Sequence, residues 1–398
     1  MKKKILFMIG MMNVGGVEKS LLSLISTLPK EKYDITILML EKKGEFLKEI
    51  PDWVRIEEAK WFEQIKPVIL ESPYQTINNY RLDKSYLKIV KFIFAYKISQ
   101  KTDNRYYYYK QILKYIPSHT VMYDIAIAYQ SPNDIIDFYI ANKVLAKVKI
   151  SWVHFDVSRF KMNKKLYEKL YESFNKIFVV SKEAESKLIE RIPSVKNKSE
   201  VFYNILSKKL IGELAKREVE FDDNYTGLKV ITVGRLAKEK GQDLAIKTLL
   251  KLREAGYEIR WYCIGEGNQR KELEKLIIKN QLGNDFILLG AVTNPYPFIA
   301  RSDIYVQTSR HEGYCLTLAE ARCLNKPIVT TNFIGAYEQI KEGENGYIVE
   351  ANVEQLFEKI KFLIDNQQKR NLLEKNLNST NIDTTKEVYK LFKQVNFS

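Results

Sequence analysis

Apolar residues along this chain come in short continuous runs, separated by stretches in which they recur every three or four positions. Residues 4–9 form the first run. A glycine-punctuated loop at 10–16 follows, and then Val17, Leu21, Leu24, Ile25 and Leu28 at helical spacing. A continuous run suits a strand buried on both faces, while the wider spacing suits a helix with one apolar stripe. Further strand-like runs lie at 33–40, 124–128, 148–153, 177–180 and 200–203, with a helical pattern at 181–191. A polar stretch at 207–226 reads as a linker, and a second series follows it. Its strand-like runs are 228–233, 260–264, 286–289, 304–307 and 327–331, and its helical stretches 242–254, 269–280, 295–300, 314–324, 353–366 and 386–395. This alternation predicts an α/β chain of two Rossmann-like doubly wound domains, facing across a cleft at the C-terminal ends of their strands.

The rhythm divides the chain into 1–205, 206–378 and a last helical segment, 379–398, able to cross back to the first domain. Residues 60–119 interrupt it and read as helices inserted into that domain. They hold eleven Lys/Arg against four Asp/Glu, together with Tyr86, Phe92, Phe94, Tyr96 and a tyrosine run at 106–109.

Composition narrows the class. A chain of 398 residues, 45% hydrophobic and 28% charged, is globular and too long for one ordinary core. Lys+Arg number 64 and Asp+Glu 49, a net charge of +15, which favours a polyanionic partner: nucleic acid, an anionic membrane face or a phosphorylated substrate. Cys263, Cys315 and Cys323 form no CxxC pair, which argues against a disulfide scaffold or a zinc site. The basic, apolar start lacks a small-x-small cleavage site, and no apolar run is long enough to span a bilayer. A cytoplasmic protein, peripheral at most on the inner face of the membrane, is the expectation.

Two segments carry candidate chemistry. In Ser309-Arg310-His311-Glu312-Gly313-Tyr314-Cys315-Leu316, a strand gives way to a helix whose first amides suit a phosphate. Glu312 and Glu320 could accept hydrogen bonds from sugar hydroxyls, although spacing alone favours reading them as ordinary helix glutamates. In Gly234-Arg235-Leu236-Ala237-Lys238-Glu239-Lys240-Gly241, two cations at a strand end suit a diphosphate, and equally a charged loop. No Asp-x-Asp metal motif occurs, so Arg235 and Lys240 would take over a divalent cation's role on the leaving group.

Together these segments resemble the GT-B-fold glycosyltransferases of the retaining, family-four type, found in capsular, exopolysaccharide and related cell-surface glycan synthesis. Glu312 and Glu320 match the family's E-x7-E, and Gly234, Arg235, Leu236, Lys240 and Gly241 its Gly-Arg-Leu…Lys-Gly. The likeness extends to Gly15, Gly16, Val17 and Glu18, to Val180, Ser181 and Asn204, and to Gly335, Glu338, Asn345 and Gly346. It departs at Ile205-Leu206 and at Ala336.

The resemblance implies a transferase that moves a hexose or N-acetylhexosamine from a nucleotide diphosphate sugar, UDP-linked, to a lipid-linked or glycan acceptor. It implies retention of configuration, no metal and no cofactor. Arg235 and Lys240 would hold the donor diphosphate with Gly15, Gly16 and the amides near Tyr314, Cys315 and Leu316. Glu320 would hold the ribose, and Glu312, Gly313 and His154 the sugar, with Glu312 and His154 as catalytic residues. His154 ends a strand-like run, where a buried structural imidazole is the competing reading; Asp156 beside it is a candidate orienting group.

Two readings of the 60–119 insert stay open: a tyrosine-cored helical subdomain with solvated lysines, or a face for an anionic membrane. Two rival functions also stand: an epimerase or phosphorylase on the same fold, and a nucleic-acid-binding protein. No nucleic-acid-binding motif accompanies the charge, so no nucleic-acid partner is expected.

Overall fold

The computed structural model describes residues 2–396 except 71, 83, 156, 158–161, 220, 222–224 and 381. The chain divides into two units. The first holds residues up to Asn13, Val17–Tyr203 and the chain from Glu387; the second holds Val14–Gly16 and Asn204–Lys386.

The first unit is built on strands β1 (Lys3–Ile9), β2 (Tyr33–Met39), β3 (Arg55–Glu58), β4 (Met122–Ser131), β5 (Leu145–Val153), β6 (Lys176–Val179) and β7 (Ser199–Val201). They form one parallel sheet in the order β3-β2-β1-β4-β5-β6-β7. Ile5 to Ile9 of β1 are fully buried, as a central strand covered on both faces must be. Helix Asp134–Lys143 sits over the sheet, its first turn capped by Asn133, whose side chain accepts from the Ile135 and Ile136 amides. The helix Val388–Asn396 packs on this unit: Lys390 donates to the Val201 carbonyl at 2.7 Å, and Phe392 stacks on Tyr33 with centroids 5.7 Å apart.

The inserted stretch forms helices Phe62–Leu70, Pro73–Leu82, Tyr86–Thr102 and Tyr106–Ile112. Tyr80, Phe92, Tyr96 and Tyr108 meet edge to face, tilted or stacked, with centroids 5.8–6.3 Å apart, and Tyr109 is buried. Tyr108 and Tyr109 of the tyrosine run are thus packing material, while Tyr107 is exposed.

The second unit holds β8 (Leu228–Val233), β9 (Ile259–Ile264), β10 (Phe286–Gly290), β11 (Ile304–Gln307), β12 (Ile328–Thr331) and β13 (Tyr347–Val349). Its sheet is again parallel, in the order β10-β9-β8-β11-β12-β13. Strand order reverses between β8 and β11, and such a switch point leaves a crevice at the C-terminal strand ends. Core side chains include Trp261, Ile246, Leu249, Val306, Val329, Leu356 and Ile360, all fully buried.

Several boundaries differ from the sequence reading. The supposed linker at 207–226 contains a helix, Lys208–Ala215, capped by Ser207 and anchored by buried Ile211; its lysines hid the apolar stripe. β3 and β13 were not anticipated, being too short to carry a periodic signal. The helix expected at 314–324 begins only at Leu316, because Cys315 adopts φ 60° and ψ 81° and cannot continue a right-handed turn.

Candidate functional site

Two loops leave the neighbouring strands β8 and β11 at the switch point of the second unit. The first runs from Gly234 through a single 3-10 turn, Lys238–Lys240, into helix Gln242–Glu254. Gly241 makes the junction with φ +69°, and a Cβ there would lie 2.1 Å from the Thr308 carbonyl oxygen. Only glycine permits that crossing, which brings the two loops together. Arg310 locks them further through a fork on Asp243, both bonds 2.8 Å. Burial works against the Asp243 carboxylate, but this fork outweighs it and holds the pKa below the usual value.

That loop pairing sets Lys240 on Glu312. The ammonium contacts the Glu312 Oε1 oxygen, and both side chains are largely enclosed. Burial alone would lower the lysine pKa, yet the Glu312 charge raises it, so Lys240 remains an ammonium. Behind the pair runs a chain of buried polar groups. Tyr305 donates its hydroxyl to Gln307 at 2.6 Å, Gln307 Nε2 donates to Ser309 Oγ at 2.7 Å, and Ser309 donates to Glu312 Oε1 at 2.9 Å. Glu312 is thereby fixed through one oxygen, which leaves the orientation of the other determined. Arg235 stands on the same loop but is 67% exposed and pairs with Glu239 at 2.8 Å. An exposed pair of that kind is worth at most about 1 kcal/mol.

The Gly313 to Leu316 turn is braced from behind. Gln339 Nε2 donates to the Tyr314 carbonyl, and a Cβ on Gly335 would come within 2.4 Å of the Gly313 carbonyl oxygen. Burial pushes the Cys315 thiol up to about 12, with the Glu312 charge adding to it, so it is not a nucleophile at neutral pH. One turn into helix Leu316–Cys323, Glu320 is buried and accepts from the Tyr296 hydroxyl at 2.9 Å. Burial first and the Glu320 charge second raise the Tyr296 pKa well above its ordinary value, which keeps the phenol a donor.

In the first unit, His154 follows β5, and its amide donates to the Ser131 carbonyl at 3.0 Å. The ring lies against Tyr129, centroids 4.7 Å apart, and its Nε2 has no hydrogen-bond partner among the described residues. Burial lowers its pKa to about 3, so the imidazole is neutral. Asp156 lies outside the described residues. Gly16 opens helix Gly16–Ser26, and a Cβ on it would meet nothing within 4 Å. Packing therefore does not explain that glycine.

Lys240, Glu312 and the turn through Gly313, Tyr314, Cys315 and Leu316 thus come together, whereas Arg235 turns to Glu239 and Glu320 to Tyr296. Sequence reasoning missed Gln307, Tyr296 and Asp243, and left Ser309 and Arg310 without a role inside a named segment. Asp243 and Arg310 carried a signal, as opposite charges, one just past the first motif and one inside the second. Among the described residues no three His, Cys, Asp or Glu side chains gather as metal ligands, and no helix is long and apolar enough to cross a membrane.

Residues 216–379 match the family model described as Glycosyl transferases group 1. A Campylobacter jejuni N-acetylgalactosamine-N,N'-diacetylbacillosaminyl-diphospho-undecaprenol 4-alpha-N-acetylgalactosaminyltransferase is 28% identical over 211 residues, 52% of this chain and 56% of that protein. The Staphylococcus aureus capsular polysaccharide biosynthesis glycosyltransferase CapM is 29% identical over 141 residues, 35% of this chain and 37% of that protein. The chain thus spans about half the length, or less, of the curated relatives it matches. The solved structure of Anabaena Alr3699/HepE in complex with UDP and glucose superposes with a TM-score of 0.72 at 18% identity, covering 99% of both chains. Both units therefore have the Rossmann-like build of the GT-B fold, and the second holds the residues that match the group 1 glycosyltransferase model.

Proposed function

We propose that this chain, with its group 1 glycosyltransferase domain, is a retaining, metal-independent hexosyltransferase of cell-surface polysaccharide synthesis. It takes a hexose or N-acetylhexosamine from a UDP-sugar and delivers it to a lipid-linked or glycan acceptor. The observation that carries this reading is the Lys240–Glu312 pair, held at the strand switch point by the Ser309-Gln307-Tyr305 relay.

The chemistry follows from charge and reach. A diphosphate arriving at the loop competes with Glu239 for Arg235 at little cost, because an exposed i,i+4 pair is weak. Lys240 then faces two anions, the diphosphate and Glu312, and serves both as an ammonium with three donors. Glu312 directs its remaining oxygen to hydroxyls of the transferred sugar, and Glu320 accepts from the ribose. As the glycosidic bond breaks, charge grows on the leaving diphosphate oxygen, and Arg235 and Lys240 stabilise it there. That oxygen takes the proton from the attacking acceptor hydroxyl on the same face, which accounts for retention. His154, neutral by burial, donates or accepts a hydrogen bond at the sugar but carries no charge. The acceptor side, with Gly15 and Gly16 near the donor phosphates and the insert at 60–119 on an anionic inner membrane face, belongs to the same reading.

The test is a panel of nucleotide sugars with mass-spectrometric detection, using membranes from a strain lacking the protein as acceptor. The expected product is acceptor plus one hexose or N-acetylhexosamine, with UDP released and chelator without effect. Epimerised donor with no acceptor product, or sugar phosphate release, replaces the transferase reading by another enzyme. Retention of random oligonucleotides at physiological salt with no response to any UDP-sugar removes it altogether.

A further inference from the structure

Helix Tyr86–Thr102 is apolar nearly all the way round, yet the protein covers only one side of it. Phe92, Ala95 and Ser99 face inward and are buried. On the opposite side Leu87, Val90 and Phe94 recur at three- and four-residue intervals and are 66–76% exposed. Tyr86 and Leu82, the last residue of helix Pro73–Leu82, extend the same exposed apolar series. A helix with apolar residues on all sides ordinarily lies inside a core or a membrane, and this one lies on a surface. The aromatic cluster of Tyr80, Phe92, Tyr96 and Tyr108 already satisfies its inner side.

What covers the outer side is indicated by charge. Residues 84–102 hold Lys84, Lys88, Lys91, Lys97 and Lys101 and no acidic residue at all. At helical spacing, Lys97 and Lys101 continue the exposed stripe beyond Phe94, and Lys91 flanks it. No salt bridge is described for any of these five lysines, whereas lysines elsewhere on the chain pair repeatedly with acids. Apolar side chains at one end of a stripe and unneutralised lysines at the other match the two layers of an anionic lipid surface: acyl chains, then phosphate headgroups. A second copy of the chain would set these lysines against one another.

We propose that the outer face of helix Tyr86–Thr102 is a docking surface for an anionic lipid bilayer. Leu82, Leu87, Val90 and Phe94 enter the acyl boundary, and Lys91, Lys97 and Lys101 meet headgroup phosphates. The helix enters at a tilt, its Leu82 to Phe94 end deeper than Lys97 and Lys101, and does not span the bilayer, since no described helix is long and apolar enough to cross. The proposal names the surface within the membrane-facing insert of the function proposed above, and rests on that reading for its purpose. Its lipid chemistry is measured without any donor sugar.

The test is co-sedimentation of the full chain with vesicles of phosphatidylcholine alone or mixed with phosphatidylglycerol. The wild type is expected to bind the mixed vesicles and not the neutral ones. The variant Leu87→Ser with Phe94→Ser should weaken that binding about tenfold or more, because two apolar anchors are lost. The variant Lys91→Gln, Lys97→Gln, Lys101→Gln should lose the preference for phosphatidylglycerol. All these positions are exposed, and an unchanged melting temperature verifies that the variants fold. Wild-type binding to both vesicles alike, or full binding by both variants, overturns the proposal. So does a dimer in sedimentation velocity that Leu87→Ser with Phe94→Ser dissociates. UDP binding measured by calorimetry separates the two claims: vesicle binding with no UDP affinity sinks the glycosyltransferase reading and leaves the lipid surface standing.

Discussion

The Tyr296 hydroxyl donates to the Glu320 carboxylate at 2.9 Å, buried inside the second unit. The phenol comes from a short helix, Tyr296–Ala300, that no motif marks. It fixes which way the glutamate faces. A hydrogen bond to a buried charge is worth about 1.5–3 kcal/mol, so a positioned Glu320 differs measurably from a loose one.

Tyr296→Phe is therefore expected to weaken UDP binding by about tenfold in calorimetry. A UDP analogue lacking the ribose hydroxyls should bind wild type and variant alike. Equal losses for both ligands would show that the contact only supports the fold.

Arg235→Ala should raise the dissociation constant for UDP by about tenfold to a hundredfold, the worth of a charge-assisted contact to phosphate. Its exposed pair with Glu239 gives little stability, so the melting temperature should hardly move. Unchanged UDP affinity would remove Arg235 from the diphosphate site.

Lys240→Ala leaves Glu312 enclosed without its cation, a loss expected to cost about 3 kcal/mol of unfolding free energy. Adding Glu312→Gln to that background removes the stranded charge and should restore about half of the loss. Urea unfolding of the two single variants and the double variant measures the coupling directly.

The two glycine positions should part company. Gly241→Ala must relieve a 2.1 Å contact with the Thr308 carbonyl at a positive φ, and is expected to cost about 2 kcal/mol or more. Gly16→Ala meets nothing within 4 Å and should melt like the wild type, while donor turnover falls. Turnover unchanged in Gly16→Ala would take the first loop away from the donor.

Buried titratable groups in the first unit pull in opposite directions with pH. Asp137 accepts from the Asn133 amide at 2.8 Å and Ser151 Oγ at 3.0 Å, yet burial raises its pKa to about 7. Its unfolded value is about 4, so its contribution is full below that pH and is lost as pH rises toward 7. The loss is on the order of 4 kcal/mol, and Asp137→Asn should therefore stabilise at pH 8 and not at pH 4. His154 does the reverse. With a folded pKa of about 3 against an unfolded value of about 6.5, it makes stability fall as pH drops below 6.5. Denaturant titrations at pH 4, 6 and 8 on Asp137→Asn and His154→Gln check both signs.

Much of this molecule is legible from its residues. Continuous apolar runs located β1, β2, β8, β9 and β11, because a strand covered on both faces has no choice of side chain. The pairing of Lys240 with Glu312 has no such local mark; it depends on Gly241 letting two loops cross that lie some seventy residues apart. The linker at 207–226 was misread for a related reason. Lysines on the outer face of helix Lys208–Ala215 mask its stripe, and the burial of Ile211 is a tertiary fact.

The sequence by itself determined the alternation of strand and helix, the two motifs that resemble a nucleotide-sugar site, and the uneven placement of positive charge. Each is local, written in spacing or in residue type over one short stretch. Tertiary structure alone decided that Arg235 and Lys240 have different partners and that Ser309, Gln307 and Tyr296 set the two glutamates. It also decided that Tyr108 and Tyr109 turn inward while Tyr107, Leu87, Val90 and Phe94 stay outside. The reason is physical: a hydrogen bond or a buried ring depends on which distant side chain arrives within a few ångströms, and spacing along the chain carries no record of that arrival.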